Sequence, residues 1–314
     1  MRSIGVAGGV SFYAHDDSYL SYFNSPFIGH RRFSSIDVYP ADGYWDGPAF
    51  SPVDGNVTEI RTLTMGKKKV FPTSPSDYAI GVAPDGVEDA VVRILHCRPR
   101  VSVGDTVSKG DFIGNLIRSR YFCFWTGPHY HIEAMRPKDF IRPSQSFPIV
   151  VETGKVSTIS GDSTNQYECE VMRCTQDIVV CRSREIPSAS MNDYHGHLAA
   201  IGYSSSILDA GVPHYDQGGL LGDTIPEIGS PILAFGVSVG LVSAISEPFV
   251  QFTTEKNVIA SLDGENLGGL STHLYSKRQL IDGHPPIFLI PEERNQYEGR
   301  LSEGDCIILS ISIS

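Results

Sequence analysis

The stretch HYHIEAM (residues 129–135) decides how this chain is read. Polar and apolar residues alternate along it, and a period of two is the signature of a β-strand with one face turned to a core. Residues i and i+2 of a strand project from the same face, so His129 and His131 stand side by side. Paired imidazoles on one face suit a metal site, where one ring ligates and the other serves a bound water. Such a pair is also an ordinary surface or core feature of strands, so its weight rests on the surrounding sequence.

Outward from this stretch, the first 150 residues read as short strands separated by turn signals. SSIDVYP (34–40) alternates and stops at Pro40, and DAVVRILHC (89–97) is a buried strand by its apolar content. AFSPVDGNVTEIRTLTM (49–65) reads as two strands joined by a tight turn at Asp54-Gly55, and RVSVGDTVSKGDFIGNLI (100–117) as short apolar pieces between Gly-Asp turns. No stretch has the length or period of an ordinary helix. The second half repeats the habit in PIVVETGKVSTIS (148–160), QYECEVMRC (166–174), DIVVCRS (177–183), PFVQFTTE (248–255), PIFLIPE (286–292) and DCIILSISIS (305–314). SPILAFGVSVGLVSAIS (230–246) suits either a buried helix or two buried strands. A second His-x-His, at His195 and His197, carries a glycine between its histidines and is expected in a loop.

Five pieces of the first half, taken in order, resemble the lysostaphin/LytM-type zinc metallopeptidases, the glycyl-glycine endopeptidase family. They are GHRRFSSIDVYP (29–40), SPVDGNVTEI (51–60), RILHC (93–97), RVSVGDTVSKGDFIGNL (100–116) and TGPHYHIEA (126–134). The resemblance covers roughly residues 24–148. It implies a mainly β fold, an open β-sheet half-barrel of the duplicated hybrid motif type, followed here by a second β-rich domain. It implies Zn2+ held by His30, Asp37 and His131, with His96 and His129 as catalytic histidines beside the metal, and a peptide as substrate. The family spaces its first pair as His-x3-Asp, whereas six residues separate His30 from Asp37. Either the extra residues bulge out and His30 still reaches the metal, or the site is degenerate. Two further readings use the same scaffold: a catalytically inactive groove-binding module, and a biotinyl/lipoyl-like carrier. A carrier needs an exposed lysine at a hairpin tip between its half-motifs, and Met65-Gly66-Lys67 does not stand there.

Length and charge set the remaining bounds. The chain has 314 residues, 41% hydrophobic and 19% charged, which suits two domains with real cores and excludes a disordered chain. Residues 1–146 hold 16 Lys/Arg against 15 Asp/Glu, while the remainder holds 9 against 21. That shift from a net +1 to −12 places a boundary near residues 148/149, giving a metallopeptidase-like domain at 1–148 and an acidic β-rich domain at 149–314. Nucleic acid is not an expected partner, because phosphate neutralisation needs a basic face. No run of about 18 apolar residues is present, so no integral membrane helix is expected. Six cysteines without a CxxC pair, and an N-terminus lacking a continuous apolar run, lead to the expectation of a cytoplasmic protein with reduced thiols. Oligomeric state is not legible.

Overall fold

The computed structural model describes residues 1–314 except 42, 160, 162, 163 and 281. Period-two patterning dominates the chain, and the protein is accordingly mainly β, with 50% of residues in strands and 4% in helices. It divides into two compact units. The first comprises Met1–Leu20 and Phe27–Glu152, the second Ser21–Pro26 and Thr153–Ser314. The carboxyl-side division thus falls at 152/153, and a six-residue piece near the amino terminus belongs to the second unit. No helix among the described residues is long and apolar enough to cross a membrane.

The first unit contains strands β1 (Arg2–Ala7), β2 (Val10–Ala14), β3 (Tyr19–Ser21), β4 (Ile36–Tyr39), β5 (Pro48–Phe50), β6 (Gly55–Thr64) and β7 (Ser76–Pro84). They are followed by β8 (Val91–Leu95), β9 (Cys97–Pro99), β10 (Thr106–Val107), β11 (Phe112–Leu116), β12 (Tyr130–Met135) and β13 (Ile149–Val150). Seven of them form a curled half-barrel sheet in the order β10-β6-β7-β8-β12-β4-β3. β12 lies inside this sheet, between β8 and β4, and is buried along its whole length. Its even positions, Tyr130, Ile132 and Ala134, are apolar and fully buried, and its odd positions carry His131 and Glu133 to the opposite face. The tight turn expected at Asp54-Gly55 is corrected here. β5 pairs with β11 in a separate three-stranded sheet, while β6 pairs with β7 and β10. Gly55 serves close approach instead of a hairpin: a Cβ there would stand 2.1 Å from the carbonyl oxygen of Ala83.

In the second unit the hydrogen-bonded pairings close on themselves twice. Tyr194–Ile201, Pro231–Ala234, Val237–Ser246, Phe249–Thr254, Gln217–Leu221 and Ser204–Val212 complete one circuit. Glu265–Ser271, Val258–Leu262, Cys306–Ile313, Gln166–Cys174, Val179–Arg182 and Ile287–Pro291 complete the other. Closure removes the free edges that an open sheet must protect. Residues 230–246 resolve as two strands: Ala234 faces Val237 across a two-residue turn in which Phe235 (φ 52°) and Gly236 (φ 76°) both have positive φ. The loop expected around His195 and His197 is a strand, Tyr194–Ile201, because its neighbours on both sides supply ladder partners. Of the stretch read as 148–160, Ile149–Val150 and Ser157–Ile159 are strands and residue 160 lies outside the described residues.

The piece Ser21–Pro26 is bound into the second unit by buried groups. Asp209 accepts hydrogen bonds from Ser21 Oγ (2.9 Å) and from the backbone N–H groups of Tyr22 (2.5 Å) and Phe23 (3.0 Å). The Phe23 ring lies where a Cβ on Gly219 would be, 2.1 Å from that position. Phe23 is 1% exposed, and truncating a buried phenyl ring costs about 3–5 kcal/mol. Phe23→Ala is therefore expected to lower the stability of the carboxyl-terminal unit, though the substitution lies near the amino terminus. Both tryptophans, Trp45 and Trp125, belong to the first unit. The far-UV circular dichroism transition should thus move to lower urea while the tryptophan fluorescence transition holds.

His197 sets an acid limit on the same unit. Burial pushes its imidazole from 6.5 down to about 4, against the opposing hydrogen bond to the Pro286 carbonyl (Nε2···O 3.3 Å). Between those values the unfolded chain binds a proton that the folded chain refuses, so stability is complete above about 6.5 and falls as pH drops toward 4. At 1.36 kcal/mol per pKa unit the loss amounts to ~3 kcal/mol. Urea midpoints measured between pH 7 and 4 should fall less steeply in His197→Gln than in the parent.

Candidate metal centre

Register builds the centre. Antiparallel pairing sets His131 on β12 directly opposite Asp37 on β4 and Leu95 on β8, and Glu133 opposite Arg93. Directly opposed residues on one face stand about 4.5–5.5 Å apart at Cβ. His131 Nδ1 is accordingly 2.7 Å from Asp37 Oδ1, and His131 Nε2 is 2.7 Å from Glu133 Oε1.

His30 reaches the same carboxylate from a single helical turn, α1 (Ile28–Arg31), with Nε2 3.2 Å from Asp37 Oδ1. The long spacing to Asp37 is taken up in the chain just after α1. Phe33 turns back at φ 56°, and the Ser34 N–H and hydroxyl both donate to the Gly29 carbonyl, at 2.9 and 3.1 Å. Gly29 leaves room for the centre, since a Cβ there would meet Glu133 Oε1 and Ser35 Oγ, each at 2.7 Å, and would have to displace them. His30, Asp37 and His131 are all buried, each offers a donor atom within 4.8 Å of the others, and together they could hold a metal ion.

His96 and His129 flank this trio. The His96 ring centroid lies 5.4 Å from that of His129 and 6.0 Å from that of His131. His96 has φ 69°, a left-handed conformation costly for a residue with a side chain. Its backbone N–H donates to Asp77 Oδ1 (3.2 Å), and its Nδ1–H to Asp77 Oδ2 (2.7 Å). The Nδ1–H of His129 donates to the Gly127 carbonyl (2.9 Å), while Nε2 lies 3.7 Å from Asp37 Oδ2. In both rings the Nδ1 partner assigns the tautomer, leaving Nε2 as the acceptor. Phe122 packs against both, with centroids 4.7 Å from His96 and 5.0 Å from His129.

The electrostatics follow from pairing in a dry environment. Burial alone would push the Asp37 carboxyl up, but electrostatic contact with His30 and His129 and the hydrogen bonds from His131 and His30 hold it well below the usual carboxylate range. Burial likewise opposes protonation of His131, yet hydrogen bonds to Asp37 and Glu133 raise it to about 9. Glu133 falls to about 2 because His131, Arg93 and Ser146 together outweigh its burial. His129 is pushed down to about 4, chiefly by burial, with Asp37 opposing and His96 reinforcing. Asp77 lies below its ordinary range, because contacts with His96 and Tyr78 N–H overcome burial.

Sequence reasoning did not assign roles to Asp77, Glu133 or Arg93. Glu133 had a local signal, since it follows His131 by two and shares its face. Asp77 had none: β7 meets β8 through sheet pairing, and the backbone at His96 turns the ring toward it. His195 and His197, the second His-x-His, lie in the other unit. A family described as a domain of unknown function (DUF8155), N-terminal domain, matches residues 11–151, a range that contains all five residues of the centre. No curated protein matches the chain, and no solved structure does.

The Arg93–Glu133 pair supports the centre from below. Arg93 Nη2 donates to Glu133 Oε2 at 2.6 Å, Arg93 Nη1 to the Phe140 carbonyl at 2.7 Å, and Ser146 Oγ to Glu133 Oε2 at 2.6 Å. Both side chains of the pair are buried, and removing one partner of a buried pair costs about 3–5 kcal/mol because the other charge is stranded. Arg93→Met is expected to lower first-unit stability by that amount in urea titrations followed by tryptophan fluorescence. Adding Glu133→Gln should restore part of the loss.

Proposed function

We propose that this protein is a zinc-dependent hydrolase of peptide bonds, with a site of the lysostaphin/LytM type. The observation that carries the reading is the convergence of His30, Asp37 and His131 on one buried locus with two further histidines beside it. Two imidazoles and one carboxylate are donors that suit zinc, and three protein ligands are the number typical of catalytic rather than structural sites. When bound, zinc supplies a Lewis acid that polarises an amide carbonyl and makes water nucleophilic near neutral pH.

The chain's own groups have distinct tasks. Glu133 holds the Nε2–H of His131 and so turns its Nδ1 toward Asp37 and His30. Asp77 holds the Nδ1–H of His96, and the Gly127 carbonyl that of His129, so each ring presents Nε2 as a proton acceptor. Burial keeps His129 a neutral imidazole with Nε2 unprotonated at pH 7, so it takes a proton only as negative charge develops beside it. Once protonated, either ring becomes a donor to the oxyanion that develops on the attacked carbonyl and to the departing amine. The acidic second unit has no assigned part in this chemistry.

Metal analysis of the purified chain is expected to return close to one zinc, lost in His131→Ala and Asp37→Ala. Zinc retained in His131→Ala would refute the ligand assignment. His96→Ala and His129→Ala should keep the metal and lose about 10²–10⁴-fold of peptide hydrolysis, tested on glycine-rich and D-amino-acid-containing peptides.

A further inference from the structure

We propose that the groove beside the metal centre seats a bulky apolar side chain of the bound peptide, so that the preferred substrates carry an aromatic or large aliphatic residue next to the cleaved bond. For what is cut, this rests on the hydrolase reading above; for what is bound, it rests on the groove alone. The groove has a volume of about 490 Å³ and is lined in part by His96, His131, Asp77 and Glu133, so it is continuous with the centre. That volume falls within the range of small-molecule sites, and far exceeds what a glycine backbone fills.

Sheet register explains why there is a hollow at this place. Arg61 on β6, Ala79 on β7, Leu95 on β8 and His131 on β12 form one row across the sheet. At about 4.8 Å per strand, the row spans roughly 14 Å. β7 contributes its small residues, Ala79 and Gly81, to the middle of this face, where its neighbours carry long side chains. Phe140 lies over Gly81, where a Cβ would stand 2.9 Å from its ring, and closes one end.

The walls are largely apolar, with Arg61, Thr62 and Thr64 among the lining residues. Phe27 and Tyr121 stack with centroids 4.3 Å apart. Leu63 and Leu95 are half-buried, and Ile141 is 70% exposed at the rim. Arg93 is paired with Glu133 and Arg61 with Glu59, and Asp77 accepts hydrogen bonds from His96. Apolar walls over polar groups that are already ion-paired or hydrogen-bonded to one another favour an apolar occupant, and the aromatic pair favours a planar one.

The test uses the full-length protein and two probes, N-acetylphenylalaninamide and N-acetylglycinamide, titrated while methyl NMR signals of Leu63, Leu95 and Ile141 are followed. The phenylalanine amide is expected to saturate at a concentration at least tenfold lower than the glycine amide, with or without zinc. Ile141→Glu and Tyr121→Ala, both at exposed positions, should each weaken it threefold or more while leaving tryptophan fluorescence native. Equal affinities for the two amides, or affinities unchanged in both variants, would overturn the proposal. Selective binding in a protein that takes up no zinc and cleaves no peptide would retain the apolar seat and remove the hydrolase reading. Zinc-dependent cleavage of all-glycine peptides at the same kcat/KM as phenylalanine-containing ones would do the reverse.

Discussion

The centre depends on the pairing of β12 with β4 on one side and β8 on the other. That register alone decides that His131 faces Asp37 and that Glu133 faces Arg93. A one-residue slip would carry Tyr130 and Ile132 to the groove and both polar residues into the apolar core. The core therefore enforces the register, and the register delivers the chemistry. Hydrophobic burial of Ile132, Ala134, Ile94 and Val92, all fully buried, is what makes the slip prohibitive.

Three carboxylates are held in this face of the sheet, and an unpaired buried charge is among the most costly features a fold can carry. Each is answered locally: Asp37 by His30 and His131, Asp77 by His96 and Glu133 by Arg93 and His131. His131 bridges two of the three. This arrangement explains why backbone strain is accepted at His96, whose left-handed conformation places both its N–H and its Nδ1–H on Asp77. At position 29 a side chain would push on Glu133 and Ser35, two groups of the same face.

The second unit solves a different problem with the same material. Strands that would leave exposed edges in an open sheet are joined into closed circuits around a large buried aliphatic cluster. Asp209 recruits Ser21–Pro26 to it, so the order of residues in the chain and the order in space part company at that point.

Local pattern was enough to read strand character in stretches such as DAVVRILHC and HYHIEAM and to mark His129 and His131 as partners on one face, because side-chain alternation is a property of the strand itself; Arg2–Ala7, Ser76–Pro84, Ser204–Val212 and Glu265–Ser271 were not singled out. Other features were not legible. The Asp54-Gly55 turn was misread because a two-residue turn signal does not say whether the flanking strands pair with each other or with others. The Tyr194–Ile201 strand was missed because Gly196 lowers local propensity while ladder partners on both sides supply what propensity lacks. The residues from Arg31 to Ser35 left the reach of His30 undecided, since only the backward turn at Phe33 brings its ring to Asp37. Asp77 and Arg93 gained their places from pairings between strands distant in sequence. Sequence by itself determined which residues share a face; tertiary structure decided which faces meet, because strand pairing is settled by the packing of the whole core and by no single segment.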